Sequence, residues 1–162
     1  MTYSTAPNLT PFVHTSEGIV YADHSNDTLY RMTDEMTPSA FIVRTPRVKE
    51  TKPNKILRFD NETEDWMFLS GIEMAYDFSK NEGMRQTNYG IEKASGNIFE
   101  LTFIHPDYEG KEYSPTALNV RYYPADELLT ALAEGKLKGK LKEMAQLLDE
   151  EDNGVVMLLK QK

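Results

Sequence analysis

Ile19-Val-Tyr-Ala22, Asp23-His-Ser-Asn-Asp27, Thr28-Leu-Tyr-Arg-Met32 and, past Pro38, Ala40-Phe-Ile-Val-Arg44 decide how this chain folds. The apolar segments are too short for helices and are dominated by Val, Ile, Phe and Tyr, the residues that pack well on a pleated surface. Period-two alternation sends Leu29 and Arg31 to one face and Tyr30 and Met32 to the other. Between them, Asp23 to Asp27 is made of residues that bond their own backbone and tolerate turns. Upstream, Pro11-Phe-Val-His-Thr15 adds a strand, and Ser16-Glu-Gly18 turns it into Ile19. Short strands in close succession predict an antiparallel meander.

A second meander follows the polar link Thr45 to Lys55. Ile56-Leu-Arg-Phe59 leads into an acidic stretch, Asp60-Asn-Glu-Thr-Glu-Asp65, which reads as a solvated turn. Trp66-Met-Phe-Leu69 continues through Ile72 and Met74, a loop follows around Ser79 to Gly83, and Arg85 to Glu92 is the next strand. Ala94-Ser-Gly-Asn97 turns the chain into Ile98-Phe-Glu-Leu-Thr-Phe-Ile104. The stretch from His105 to Thr116, with Pro106, Gly110 and Pro115, is expected to be irregular.

The last segment changes character. Asn119-Val-Arg-Tyr-Tyr123 predicts a strand. Pro124 opens a helix whose first turn carries Asp126 and Glu127 and whose end is marked by Gly135. A second helix is expected from Leu137 to Asp149, with Leu137, Leu141, Met144 and Leu148 on one apolar stripe. Glu150 to Gly154 breaks it, and Val155-Val-Met-Leu-Leu159 reads as a buried closing strand. Three units therefore follow one another, at about 10–45, 54–104 and 118–162. Their spacing is near the ~40–50 residues of a propeller blade. The expected fold is one mainly β domain: a partial β-propeller of about three antiparallel meander blades with a C-terminal helical hairpin and closing strand. A β-sandwich is the alternative.

Composition removes several functions. With 26 acidic and 18 basic side chains in 162 residues, the net charge of −8 repels phosphate backbones, so nucleic acid is not an expected partner. The densest basic run, Lys136, Lys138, Lys140 and Lys142, alternates within a helical pattern and reads as a solvated face. Cysteine is absent, which eliminates disulfides, thiolate metal sites and cysteine nucleophiles. No stretch approaches the ~20 apolar residues of a membrane span. Met1 to Pro7 has neither a basic nor an apolar region of a signal peptide, so the chain as written is expected to remain in the cytoplasm or to be a piece of something larger.

Few residues present chemistry. The histidines are His14, His24 and His105, and none has a second ligand at zinc spacing. Asp23, His24 and Asp27 share a turn and have the donors for a cation, but Asx-rich turns have this composition for conformational reasons. Asp60, Glu62, Glu64 and Asp65 lack the glycine and regular spacing of a calcium loop. His105-Pro-Asp107 pairs a base with an orienting carboxylate, separated by Pro106. Trp66, the single tryptophan, reads as core rather than as a sugar-stacking platform. No metal and no cofactor is predicted. The candidate ligand-binding residues are His24, Asp27, Trp66, His105 and Asp107.

Asn26-Asp-Thr-Leu-Tyr-Arg-Met-Thr33, followed by Pro38 and Phe41-Ile-Val43, resembles the blade signature of six-bladed β-propeller proteins from gut Gram-negative anaerobes. The tail is similar to the same family: Tyr122-Tyr-Pro-Ala-Asp-Glu-Leu-Leu129, Leu141-Lys-Glu-Met-Ala145, then Asp149-Glu-Glu-Asp-Asn153 and an apolar strand. Gly154 stands where the family usually has Pro. The resemblance spans residues 18–70 and 118–162 and implies the C-terminal half of such a protein, with exported or periplasmic ancestry. The family's function is largely uncharacterised, so the resemblance implies a fold and no activity. Three blades cannot close a ring, and open blade faces invite self-association or pairing with a missing N-terminal half. The expected function is a non-enzymatic binding or scaffold module. The rivals are a glycan-acting hydrolase or lyase with its site at the propeller axis, and a truncated gene product without independent function.

Overall fold

Alternating strands that bury one face each need a second layer to cover it. A computed structural model describes residues 11–23, 25–33, 37–76, 78–80, 84–112 and 120–158 and gives two compact units, Met1–Leu101 and Thr102–Lys162. The described residues are mainly β, in antiparallel sheets, with two α-helices.

In the first unit, β1 (Phe12–Thr15), β2 (Gly18–Tyr21), β3 (Thr28–Met32) and β4 (Pro38–Val43) form one sheet in sequence order. A second sheet repeats the plan with β5 (Lys55–Glu62), β6 (Trp66–Glu73), β7 (Gln86–Glu92) and β8 (Ile98–Leu101). Gly18 turns β1 into β2 at φ +124°, and a Cβ there would lie 2.5 Å from the Met32 carbonyl oxygen, so only glycine fits. Val20, Ala22 and Leu29 from the first sheet meet Phe59 and Leu69 from the second in a buried core. The Phe41 ring meets Phe59 edge-on at 6.0 Å. Between the two sheets, the described parts of β1 and β5 come close together.

The acidic stretch departs from expectation. Strand β5 runs on through Glu62, so the turn is confined to Thr63, Glu64 and Asp65; Thr63 Oγ1 accepts the Trp66 N–H at 3.0 Å. A bulge between Phe59 and Asn61 inserts one residue and reverses the alternation. Asp60 keeps the face of Arg58, whereas Glu62 is turned to the face of Phe59, between the sheets. There its fully buried carboxylate meets Arg31 at 2.7 Å and Lys93 at 3.1 Å. Glu17 closes the network, paired with Arg31 and, at 2.6 Å, with Lys93. Arg31 also lies over the Phe41 ring at 3.7 Å. Two cations and two anions thus sum to zero at the margin of an apolar core. Long-range pairing hides these acids from a reading of local composition.

The second unit contains β9 (Val120–Tyr123), α1 (Ala125–Ala133), α2 (Gly139–Ala145) and β10 (Val155–Leu158), with β10 antiparallel to β9. Gly135, at φ +72°, ends α1 as expected: its N–H donates to Leu132 and the Lys136 N–H to Ala131. The buried stripe is Leu137, Leu141 and Ala145, not Met144, which is 46% exposed. Helix α2 starts two residues later than predicted, and its small Ala145 joins Ala131 in the core. The closing strand is buried on one face only. Val155 and Met157 pack on the helices while Val156 and Leu158 stay exposed, because no further layer covers a two-stranded ribbon among the described residues. Strand, helix, helix and closing strand follow one another here in the order expected of this segment.

Replacing Glu62 by Ala leaves Arg31 and Lys93 to share Glu17 alone, two cations on one carboxylate beside the core. Urea unfolding should show the first unit losing about 3 kcal/mol, the cost of breaking a buried charge pair from one side. A loss within error of zero would mean that the network does not fasten the sheets.

Candidate functional site

The residues singled out from the sequence are placed as follows. His24 lies outside the described residues. Its neighbour Asp23 makes an Asx turn, accepting the Ser25 N–H at 2.8 Å and the Ser25 hydroxyl at 2.7 Å. Asp27 Oδ1 accepts the Val48 N–H at 2.6 Å, and its carbonyl accepts the Arg44 N–H at 2.9 Å. Its carboxylate therefore pins the link after β4. Among the described residues, no three His, Asp or Glu side chains converge as a metal ion requires.

Trp66 is partly buried at the start of β6, on the face of the second sheet turned away from the first. Its ring lies 5.8 Å from that of Phe99, which is 44% exposed. A Cβ on Gly90 would fall 3.3 Å from the indole and 2.6 Å from Leu101 Cδ1, so glycine makes room for both side chains. The tryptophan packs across its sheet and is not a member of the core between the sheets.

His105 and Asp107 are close, but not as imidazole and carboxylate. His105 is 2% exposed, and its Nδ1 accepts the backbone N–H of Asp107 at 2.9 Å. Its ring stands edge-on to Tyr123 at 5.5 Å and to Tyr108 at 6.2 Å. The Asp107 carboxylate turns to the start of α2, where Oδ2 accepts the Leu141 N–H at 3.4 Å. Gly139, at φ +55°, leaves room for it: a Cβ there would sit 2.5 Å from Asp107 Oδ1. Burial holds the His105 pKa below that of a free imidazole; Asp107 opposes the shift, and Arg121 and Lys111 add to it.

A second polar group was not anticipated. On the Trp66 face of the second sheet, Arg58 Nε donates to Asp60 at 2.6 Å, and the Ser70 hydroxyl donates to the other Asp60 oxygen. Ser70 Oγ accepts from Gln86 at 3.1 Å and from Arg58 at 3.3 Å. Desolvation raises the Asp60 pKa, with Ser70 and Arg58 pulling it back. A carboxyl beside a serine hydroxyl suggests nucleophilic chemistry. Ser70, however, has no solvent exposure, and its single proton is engaged by Asp60, so the group cross-braces β5, β6 and β7. The signal in the sequence was Arg58 two residues from Asp60; Ser70 required the strand pairing.

An open apolar surface lies on the outer face of the first sheet. Phe12, Tyr21, Tyr30, Met32 and Pro38 line a concavity of about 390 Å³. Phe12 and Tyr21 stand as cross-strand partners with rings 5.0 Å apart, and Phe12 is 50% exposed. His14 is exposed on the same face. Comparison with family models, with curated proteins and with solved structures finds no match to this chain.

The His105 shift sets a pH dependence. Its folded pKa lies below the unfolded value of about 6.5, so its contribution is complete above that pH and is lost as pH falls through it, where the unfolded chain takes up the proton first. Thermal melts of the protein and of His105→Gln from about pH 7.5 to about pH 5, across the unfolded value of about 6.5, should show a smaller fall for the variant. Parallel curves would show that burial of the imidazole does not govern acid stability.

Proposed function

We propose that this chain is a non-enzymatic binding or scaffold module, a partial propeller of meander blades that accepts a further sheet on the outer face of β1–β4. The aromatic concavity of Phe12, Tyr21, Tyr30, Met32 and Pro38 carries this reading. It is the same kind of surface that the inner face of this sheet buries against β5–β8: contiguous, apolar and flat enough for sheet-on-sheet packing. The two sequential four-stranded meanders and the close approach of β1 and β5 support a radial, blade-like arrangement, since propeller blades draw together at their inner strands. The engagement of Asp27, Asp107 and the Asp60–Ser70 group in folding bonds favours binding over catalysis. The favoured occupant is a second copy of this chain, presenting a sheet of the same chemistry.

Sedimentation velocity at micromolar concentration should show a species heavier than the monomer, and Phe12→Asp with Met32→Asp should return it to monomer. Both side chains stand outside the core, so circular dichroism should be unchanged. A monomer at every concentration rules out self-pairing, as does an assembly indifferent to both substitutions.

A further inference from the structure

Between the two sheets of the first unit, on the opposite side of the first sheet from Phe12, the apolar packing opens into a cleft of about 620 Å³. This is the size of a small-molecule site, and its lining has the usual character of one: mostly apolar, with a few polar groups at fixed positions. Leu57, Leu69, Tyr89 and Ile91 form its floor, and Val43 and Ile98 flank it. Val43 is 67% and Ile98 66% exposed, so the flanks are open. Gly71 shapes the floor, since a Cβ there would lie 3.0 Å from the Tyr89 ring.

Arg44 stands at the rim. Its Nε donates to the Pro46 carbonyl at 3.0 Å and its Nη1 to the Lys55 carbonyl, so the guanidinium is held in place. Among the described residues it pairs with no carboxylate, and its Nη2 makes no hydrogen bond. Lys55 also lines the cleft, but Glu73 neutralises it at 2.9 Å. The site therefore offers one fixed positive charge, held in no ion pair among the described residues, above an apolar trough. On a chain of net charge −8, such a site selects a single negative charge rather than a dianion.

We propose that this cleft binds a single-chain amphiphilic carboxylate, its hydrocarbon tail on Leu57, Leu69, Tyr89 and Ile91 and its head on Arg44. Desolvation of the tail supplies the affinity and the guanidinium fixes the orientation, because its free Nη2 donates a charge-assisted hydrogen bond to the carboxylate. The inference is independent of sheet pairing at the Phe12 face, which lies on the other side of the first sheet.

Titration calorimetry with decanoate and with the neutral decan-1-ol tests it, using the full chain and the variants Arg44→Gln and Ile98→Trp. Decanoate should bind one per chain, about tenfold more tightly than the alcohol, the value of one charge-assisted hydrogen bond. Arg44→Gln should abolish that preference, and Ile98→Trp, at an exposed position, should block both ligands without lowering the melting temperature. The idea is overturned if decanoate gives no saturable binding, if acid and alcohol bind equally, or if Ile98→Trp leaves binding intact. It is equally overturned if Ile98→Trp instead dissociates an assembly that decanoate does not affect, since a second copy would then fill the cleft.

Discussion

A carboxylate placed between two apolar sheets must find cations or be expelled, and in this chain Glu62 finds two. The bulge after Phe59 turns it inward, where Arg31 and Lys93 meet it from different sheets. Taking such a charge out of water is costly, and the pairing compensates only in one arrangement of the partners. The relation between β3, β5 and the turn after β7 is consequently tied to this contact as well as to the packing of Val20, Leu29, Phe59 and Leu69. Apolar burial supplies the drive and the ionic network supplies the register.

That register organises both open surfaces of the first unit. With Leu29 and Arg31 committed to the inner face, Tyr30 and Met32 are left on the outer one beside Phe12 and Tyr21. The same inner packing does not fill the space beside β4, leaving the cleft beneath Arg44. Asp27 contributes at one remove, holding the link whose carbonyl at Pro46 anchors that guanidinium. A residue chosen for its ability to ligate a cation thus organises a cationic rim.

The second unit uses its polar residues similarly. Asp107 caps a seven-residue helix from a distant loop, and His105 is enclosed by tyrosines with its Nδ1 on the Asp107 backbone. The tripeptide His105-Pro106-Asp107 suggested a base and its orienter because the two residue types are those of a catalytic pair. Pro106 separates them so that they bond through main chain and toward different partners. Composition names the groups available, and backbone direction decides whether they meet.

Strand positions, the ends of α1 and the opposed faces of β3 were legible because alternation, Gly135 and β-branched content act within a few residues. Helix α2 was over-extended because apolar spacing persists beyond the point where hydrogen bonding stops. The acidic stretch was misread as a solvated turn because Arg31 and Lys93 are distant in sequence from Glu62, and one inserted residue exchanges the two faces of a strand. By itself the sequence determined the local elements and which side chains share a face. Only the tertiary structure decided which faces were covered, which charges were neutralised and where a cleft remained, because those follow from contacts between segments far apart along the chain.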